Sequence, residues 1–288
     1  MHLHILRTDL RGRSISAYLV LVFVVMTALG AVCFGQIEKS AEGKKEKASE
    51  PPSAKVSSKP GAELTAEQIV ESTILIYAFP GGRQTLEQIR KTTNERGRTK
   101  INYPDGRSEL VNYQRFIIRG PNLEKEKIRL DQEFPSVRYS LVHEDGKVFG
   151  VFNDQIFSPR EDAAASFTDQ IYRSIEALLR YKENGSEISL AGKDKLLGVD
   201  FYLIDLTDKV GRKTRFYVSV KRFRIMMLEY ESGGTQYRRK FYDYNYAQGT
   251  LVPFRSVLYA NDRITEETDI GTITFGQKVD ESLFPKQP

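Results

Sequence analysis

The feature that most restricts this chain is a set of alternating aromatic and β-branched runs near its end. Tyr237–Tyr246 (YRRKFYDYNY), Leu251–Tyr259 (LVPFRSVLY) and Glu267–Phe275 (ETDIGTITF) are separated by Gln248-Gly249 and Asn261-Asp262. Three such runs divided by two tight-turn signals specify an antiparallel meander. Val252, Phe254, Leu258 and Ala260 fall on one face at period two, with Arg255 and Tyr259 on the other. No nucleophile, metal cluster or phosphate loop stands in this stretch, which instead offers apolar surface for burial.

The same period governs most of the chain upstream. From Thr85 to Phe157 turn signals recur at Arg96-Gly97, Pro104–Gly106, Gly120–Asn122, Glu133–Pro135 and Asp145-Gly146. The clearest strand is Lys127–Phe134, where Ile128, Leu130, Gln132 and Phe134 face one way and Lys127, Arg129, Asp131 and Glu133 the other. Val137, Tyr139 and Leu141 extend the apolar set, and Asp145-Gly146 turns into Val148, Gly150 and Phe152. Further strands are expected at Gly198–Leu206, Phe216–Val220 and Phe223–Tyr230, for a total of about ten or eleven.

Two helices interrupt this pattern. Leu64 stands at a hydrophobic staple and Thr65–Gln68 forms a capping box, after which Ile69, Val70, Ile74 and Tyr77 make one stripe up to Pro80-Gly81-Gly82. Ser158-Pro159-Arg160-Glu161 starts the second helix. Phe167, Ile171, Ile175 and Leu178 line one of its faces, Asp169, Arg173, Glu176 and Arg180 the other, and Asn184-Gly185 ends it. Two helices cannot sandwich so large a sheet, but they can cover one side of a bent one. The expected class is α+β: a strongly curved antiparallel half-barrel with helices covering the concave face.

Residues 1–35 read as a signal peptide, with Arg7, Arg11 and Arg13 before the apolar run Ile15–Gly30 and small residues before a cut after Gly35. The competing reading is an uncleaved anchor over residues 15–30. Val32 rather than a small residue precedes Cys33, which argues against lipidation there, and a cut after Gly35 leaves no cysteine. Residues 36–61 are rich in Lys, Glu, Ser and Pro and poor in large apolar side chains, the composition of a disordered linker. The folded domain is expected over residues 62–288.

Of the formal net charge of +5, four units lie before residue 62: three Arg and one Asp up to Gly35, then six Lys and four Glu from Gln36 to Gly61. The remaining near-neutral domain lacks the concentrated basic face that nucleic acid requires. His143 is in register with Val137, Tyr139 and Leu141 on the apolar side and reads as a satisfied or edge histidine, since no Ser, Cys or Asp constellation accompanies it. One such histidine supplies too few ligands for zinc. Paired carboxylates could serve a glycosidase, but Asp and Glu here mostly alternate with Lys and Arg on solvated faces. The basic interval Arg212, Lys213, Arg215, Lys221, Arg222, Arg224 reads as a solvated strand face that discourages edge pairing, or as a docking surface for anionic headgroups or a partner protein. Asn184-Gly-Ser186 is a lone glycosylation match from which nothing follows.

With these residues in view, the chain resembles the LolA/LolB-like superfamily, and within it the bacterial proteins labelled outer-membrane lipoprotein-sorting-like. The opening helix ending at Gly81-Gly82, the helix after Phe157-Ser-Pro159, and Gly249–Pro253 through Val279–Phe284 carry the resemblance, which covers most of Leu64–Pro288. It implies a periplasmic, non-catalytic carrier that holds lipids or lipoprotein acyl chains on the concave side under a helical lid. In characterised carriers a strand arginine holds that lid shut, and no single position here is matched to it. The lipid-contacting candidates are Ile128, Leu130, Phe134, Tyr139, Phe152, Phe167, Ile171 and Ile175, with no catalytic residue, metal or cofactor. The alternative is an envelope sensor or protein-interaction module with a packed interior. A periplasmic hydrolase is the third reading. Membrane contact is expected to be transient or through an uncleaved N-terminal segment.

Overall fold

The computed structural model describes residues 63–285; the expected signal peptide and linker lie outside them. The capping box forms as read: Thr65 Oγ1 accepts from the Gln68 amide (3.2 Å) and Gln68 Oε1 from the Thr65 amide (2.9 Å). It opens α1 (Ala66–Tyr77), whose Ile69, Val70, Thr73, Ile74 and Tyr77 are buried.

The chain then forms α2 (Gly82–Ile89) where strand was expected. Leu86, Ile89 and Arg90 all turn inward, and their i, i+3, i+4 spacing is helical, so the period-two pattern starts later than Thr85. Six strands follow: β1 (Thr92–Asn102), β2 (Ser108–Ile118), β3 (Lys127–Glu133), β4 (Arg138–Glu144), β5 (Lys147–Phe152) and β6 (Gln155–Phe157). Arg96-Gly97 is not a turn. β1 runs through it, and the irregularity lies opposite, where Gly271 is an extra residue in the last strand. A Cβ on Gly97 would stand 2.2 Å from the Asp269 carbonyl oxygen, which is why glycine is needed within a strand there.

The expected mid-chain helix is broken into α3 (Glu161–Tyr172), α4 (Ile175–Leu179) and α5 (Tyr181–Asn184). Its start is Glu161 after Arg160, which makes no side-chain cap, so Ser158 is not the N-cap. The break comes at Ser174, which accepts from the Ala177 amide and starts a new helix. Gly185 ends α5 in the left-handed region (φ 62°).

Seven more strands complete the domain: β7 (Glu187–Leu196), β8 (Val199–Thr207), β9 (Lys213–Ser219), β10 (Ile225–Ser232), β11 (Thr235–Ala247), β12 (Thr250–Ala260) and β13 (Arg263–Phe275). All thirteen belong to one open antiparallel sheet in the order β6-β5-β4-β3-β2-β1-β13-β12-β11-β10-β9-β8-β7. The count exceeds the expected ten or eleven, and the architecture is the expected curved half-barrel. The edges are β6 and β7, and the broken helical segment joins them.

Two cores fill the concave side. α1 buries Ile69, Val70, Ile74 and Tyr77 against Ile204, Phe216, Ile225, Leu228, Phe241 and Leu251. α3 buries Phe167 and Ile171 against Tyr113, Ile128, Leu130 and Leu141. The opposite face of β4 and β5 is covered separately: Val142, Phe149 and Val151 pack against Val279 and Phe284 of the C-terminal segment.

Candidate functional site

Between the two cores lies a cavity of about 260 Å³. Strand alternation sets its wall. On β2, Val111, Tyr113, Arg115 and Ile117 recur at period two, followed by Arg119 just beyond the strand. Leu130 and Gln132 of β3 and Arg239 and Phe241 of β11 keep the same rule. On β13 the inward residues are Glu266, Thr268 and Ile270 before Gly271, then Ile273 and Phe275 after it, so the extra residue reverses the parity. Gln170 and Arg173 from the end of α3, with Ser174, Ile175 and Glu176 of the α4 start, form the roof.

Charged side chains occupy one end of this space. Arg119 donates from Nη2 to Glu176 Oε2 (2.8 Å) and from Nε to the Arg90 carbonyl (2.9 Å). Arg90 pairs with the other Glu176 oxygen and also donates to Thr250 Oγ1 (2.8 and 3.0 Å) and the Leu251 carbonyl (2.9 Å). Glu126 pairs directly with Arg180 and lies 4.0 Å from Arg119 Nε. Burial pushes the Glu126 carboxyl up to about 7, against the pull of Arg119 and Arg180. At Glu176 the same burial effect is outweighed by Arg119 and Arg90, and the carboxyl is held down at about 2. Farther along the wall, Glu95 accepts from the Tyr113 hydroxyl (2.8 Å) and faces Arg115 (3.5 Å), while Arg239 donates to Glu266 (3.3 Å).

The eight candidate residues do not converge on this cavity. Leu130 and Ile175 line it. Ile128, Phe167 and Ile171 are consumed in the core beneath α3, with Tyr139 against them. Phe134 stacks on Tyr139 (5.6 Å between centroids), and Phe152 is exposed beside the β5–β6 turn. The buried carboxylates depart from the solvated placement expected of Asp and Glu, and the helix break explains part of this. Restarting at Ser174 turns Arg173 and Arg180 inward and sets Glu176 in the roof, although an unbroken helix would carry all three on its polar face. Arg90, Arg119 and Glu126 carried no sequence signal beyond their position next to helix and strand ends.

His143 is fully buried, with Nδ1 at 3.1 Å from the Glu126 carbonyl and Nε2 at 3.3 Å from the Tyr172 hydroxyl, and burial pulls its pKa down. It is a satisfied core residue. The basic interval does not guard an edge, because β9 lies inside the sheet between β8 and β10. Arg215 and Arg212 there pair with Asp205 and Asp208. Asn184 accepts from the Leu123 amide (3.0 Å). Among the described residues no group of three or more His, Cys, Asp or Glu is placed to hold a metal ion.

No family profile and no curated protein matches this sequence. Solved structures do match its shape. A LolA superfamily protein from Nitrosomonas europaea is 17% identical, covering 78% of this chain and 99% of its own, with a TM-score of 0.54. A DUF1329 family protein from Desulfovibrio piger is 10% identical over 76% of this chain and 97% of its own, with a TM-score of 0.57. A domain described as an outer membrane lipoprotein-sorting protein, from Vibrio parahaemolyticus, is 11% identical over 75% and 96%, with a TM-score of 0.53. The fold is LolA-like.

Proposed function

We propose that this is an exported, non-catalytic binding protein of the cell envelope that takes an acyl chain, from a lipid or lipoprotein, between its sheet and the α3–α4 roof. The observation that carries the reading is the cavity between the two cores, roofed by a helix that is broken directly above it. The volume of 260 Å³ is just below the roughly 300–1,000 Å³ of small-molecule sites, so accommodating a whole chain requires the roof to move outward. Each methylene buried there contributes about 0.8 kcal/mol, which suffices for tight binding without any reacting group. The LolA-like fold supports the same reading.

A second reading, an envelope sensor or partner-binding module, draws on the ion-pair network that fills one end of the interior. Native mass spectrometry of the full-length protein purified from its own envelope separates the two. Acyl-bearing species retained in one-to-one complex support the first. A ligand-free protein that also shows no saturable uptake of a fluorescent fatty acid overturns it.

A further inference from the structure

Arg119 is nine-tenths buried at the charged end of the cavity, and its Nη1 has no hydrogen-bond partner among the described residues although its other two nitrogens do. Leaving a desolvated guanidinium donor unpaired is costly, and native proteins seldom tolerate it without a use. Arg115, Arg239 and Arg173 each have a carboxylate of their own in Glu95, Glu266 and Asp169. Among the described residues Arg90, Arg119 and Arg180 form ion pairs only with Glu126 and Glu176, and Glu87 adds a more distant pull on Arg119. From Arg119 the wall continues along Ile117 and Leu130, with Ile175 of the roof opposite.

An unpaired guanidinium donor and an adjoining apolar wall together fit a ligand with one anionic head and one hydrocarbon chain. We infer that the cavity selects a long-chain carboxylate, seated head-inward with a carboxylate oxygen on Arg119 Nη1 and its chain running outward past Ile117 and Leu130. This rests on the acyl-binding reading and adds to it the class of the ligand and its direction of entry. Glu126 opposes an incoming anion less than an ordinary carboxylate would, because burial pushes its carboxyl up to about 7 and Arg180 pairs with it directly. Glu176 has both oxygens engaged by Arg90 and Arg119.

The test is titration of the purified full-length protein with hexadecanoate, hexadecanol and hexadecyl phosphate, and the same series on Arg119→Gln and Arg119→Lys. A charge-assisted bond to Nη1 predicts that hexadecanoate binds about ten-fold or more tighter than hexadecanol. Arg119→Gln is expected to remove most of that preference, read as the ratio of hexadecanoate to hexadecanol affinity within the same variant. Arg119→Lys keeps the charge in a smaller head and should retain part of it, which preserves the comparison if the Gln variant fails to fold. Equal affinity for hexadecanoate and hexadecanol overturns the head-inward inference and leaves acyl binding standing. Binding of neither overturns both. A preference for hexadecyl phosphate, or a carboxylate preference unchanged in both variants, also overturns the assignment to a carboxylate on Arg119.

Discussion

Arg90 and Glu176 meet in the interior although they are 86 positions apart in the sequence. Arg90 ends α2 and also holds Thr250 and Leu251 of β12, while Glu176 lies in the first turn of α4. This ion pair, together with that of Arg119 to the same carboxylate, ties the roof to the sheet. Thr250 extends the chain of contacts by donating to the Tyr77 carbonyl (2.9 Å) at the end of α1.

Glu176→Gln is expected to destabilise the domain by about 3–5 kcal/mol, because it leaves two buried guanidinium groups without their shared carboxylate. Denaturant unfolding measures this. Hydrogen exchange at the amides of α3 and α4 should rise more than exchange in β8–β10, which would locate the loss in the roof.

Glu126 gives the domain an unusual pH response. Its folded carboxyl titrates near 7 rather than at its ordinary value of 4.5. Between those values the unfolded chain has lost the proton and the folded one retains it, so stability falls as pH rises through that window. The shift corresponds to a loss on the order of 3 kcal/mol. Glu176, held down at about 2, acts in the other direction: its contribution is present above 4.5 and is lost as pH falls towards 2. Thermal midpoints of Glu126→Gln should show a flatter slope between pH 4.5 and 7 than those of the parent.

Phe167→Ala should cost about 3–5 kcal/mol, since the ring is buried between α3 and Leu130 and the space cannot collapse readily. If α3 instead rests loosely on the sheet, urea unfolding will place the loss well under 2 kcal/mol, the low end for a large-to-small core change.

Ile117→Trp is expected to fill the cavity beside Arg119 at a modest cost in stability, about 1–3 kcal/mol for an overpacked site. Uptake of a fluorescent fatty acid should fall to background while the far-ultraviolet circular dichroism of the sheet is retained. Undiminished uptake would place the binding surface elsewhere.

Gly97→Ala tests the narrowest point of the sheet. The added methyl would stand 2.2 Å from the Asp269 carbonyl oxygen and 2.8 Å from the Tyr113 hydroxyl, so β1 and β13 must separate. A drop of several degrees in melting temperature is expected, accompanied by faster amide exchange along β13.

What could be read from the sequence was local. The Thr65–Gln68 box, the Asp145-Gly146 and Asn261-Asp262 turns and the alternation of Lys127–Glu133 depend on neighbours within a few positions, and each appears as expected. The break at Ser174 was hidden because Phe167, Ile171, Ile175 and Leu178 continue a helical period straight across it. Once the phase resets, Arg173 and Arg180 are buried and Glu176 roofs the cavity. Their partners Arg90, Arg119 and Glu126 stand at the end of α2, just after β2 and just before β3, places that only tertiary folding brings together. For the same reason the cavity is lined by a mixture of Ile, Arg and Glu, whereas the expected site was uniformly apolar.

Among the described residues eleven of the twelve strand ladders join neighbours in the sequence, and the exception is β1 with β13. Each arm of the sheet can therefore zip from its own hairpins, whereas this seam must close a loop spanning most of the domain, which is the slow kind of contact. Both seam strands contribute cavity residues, Glu95 from one and Phe275 from the other. The receptacle thus comes into being with the last long-range closure, and neither arm expressed alone would possess it.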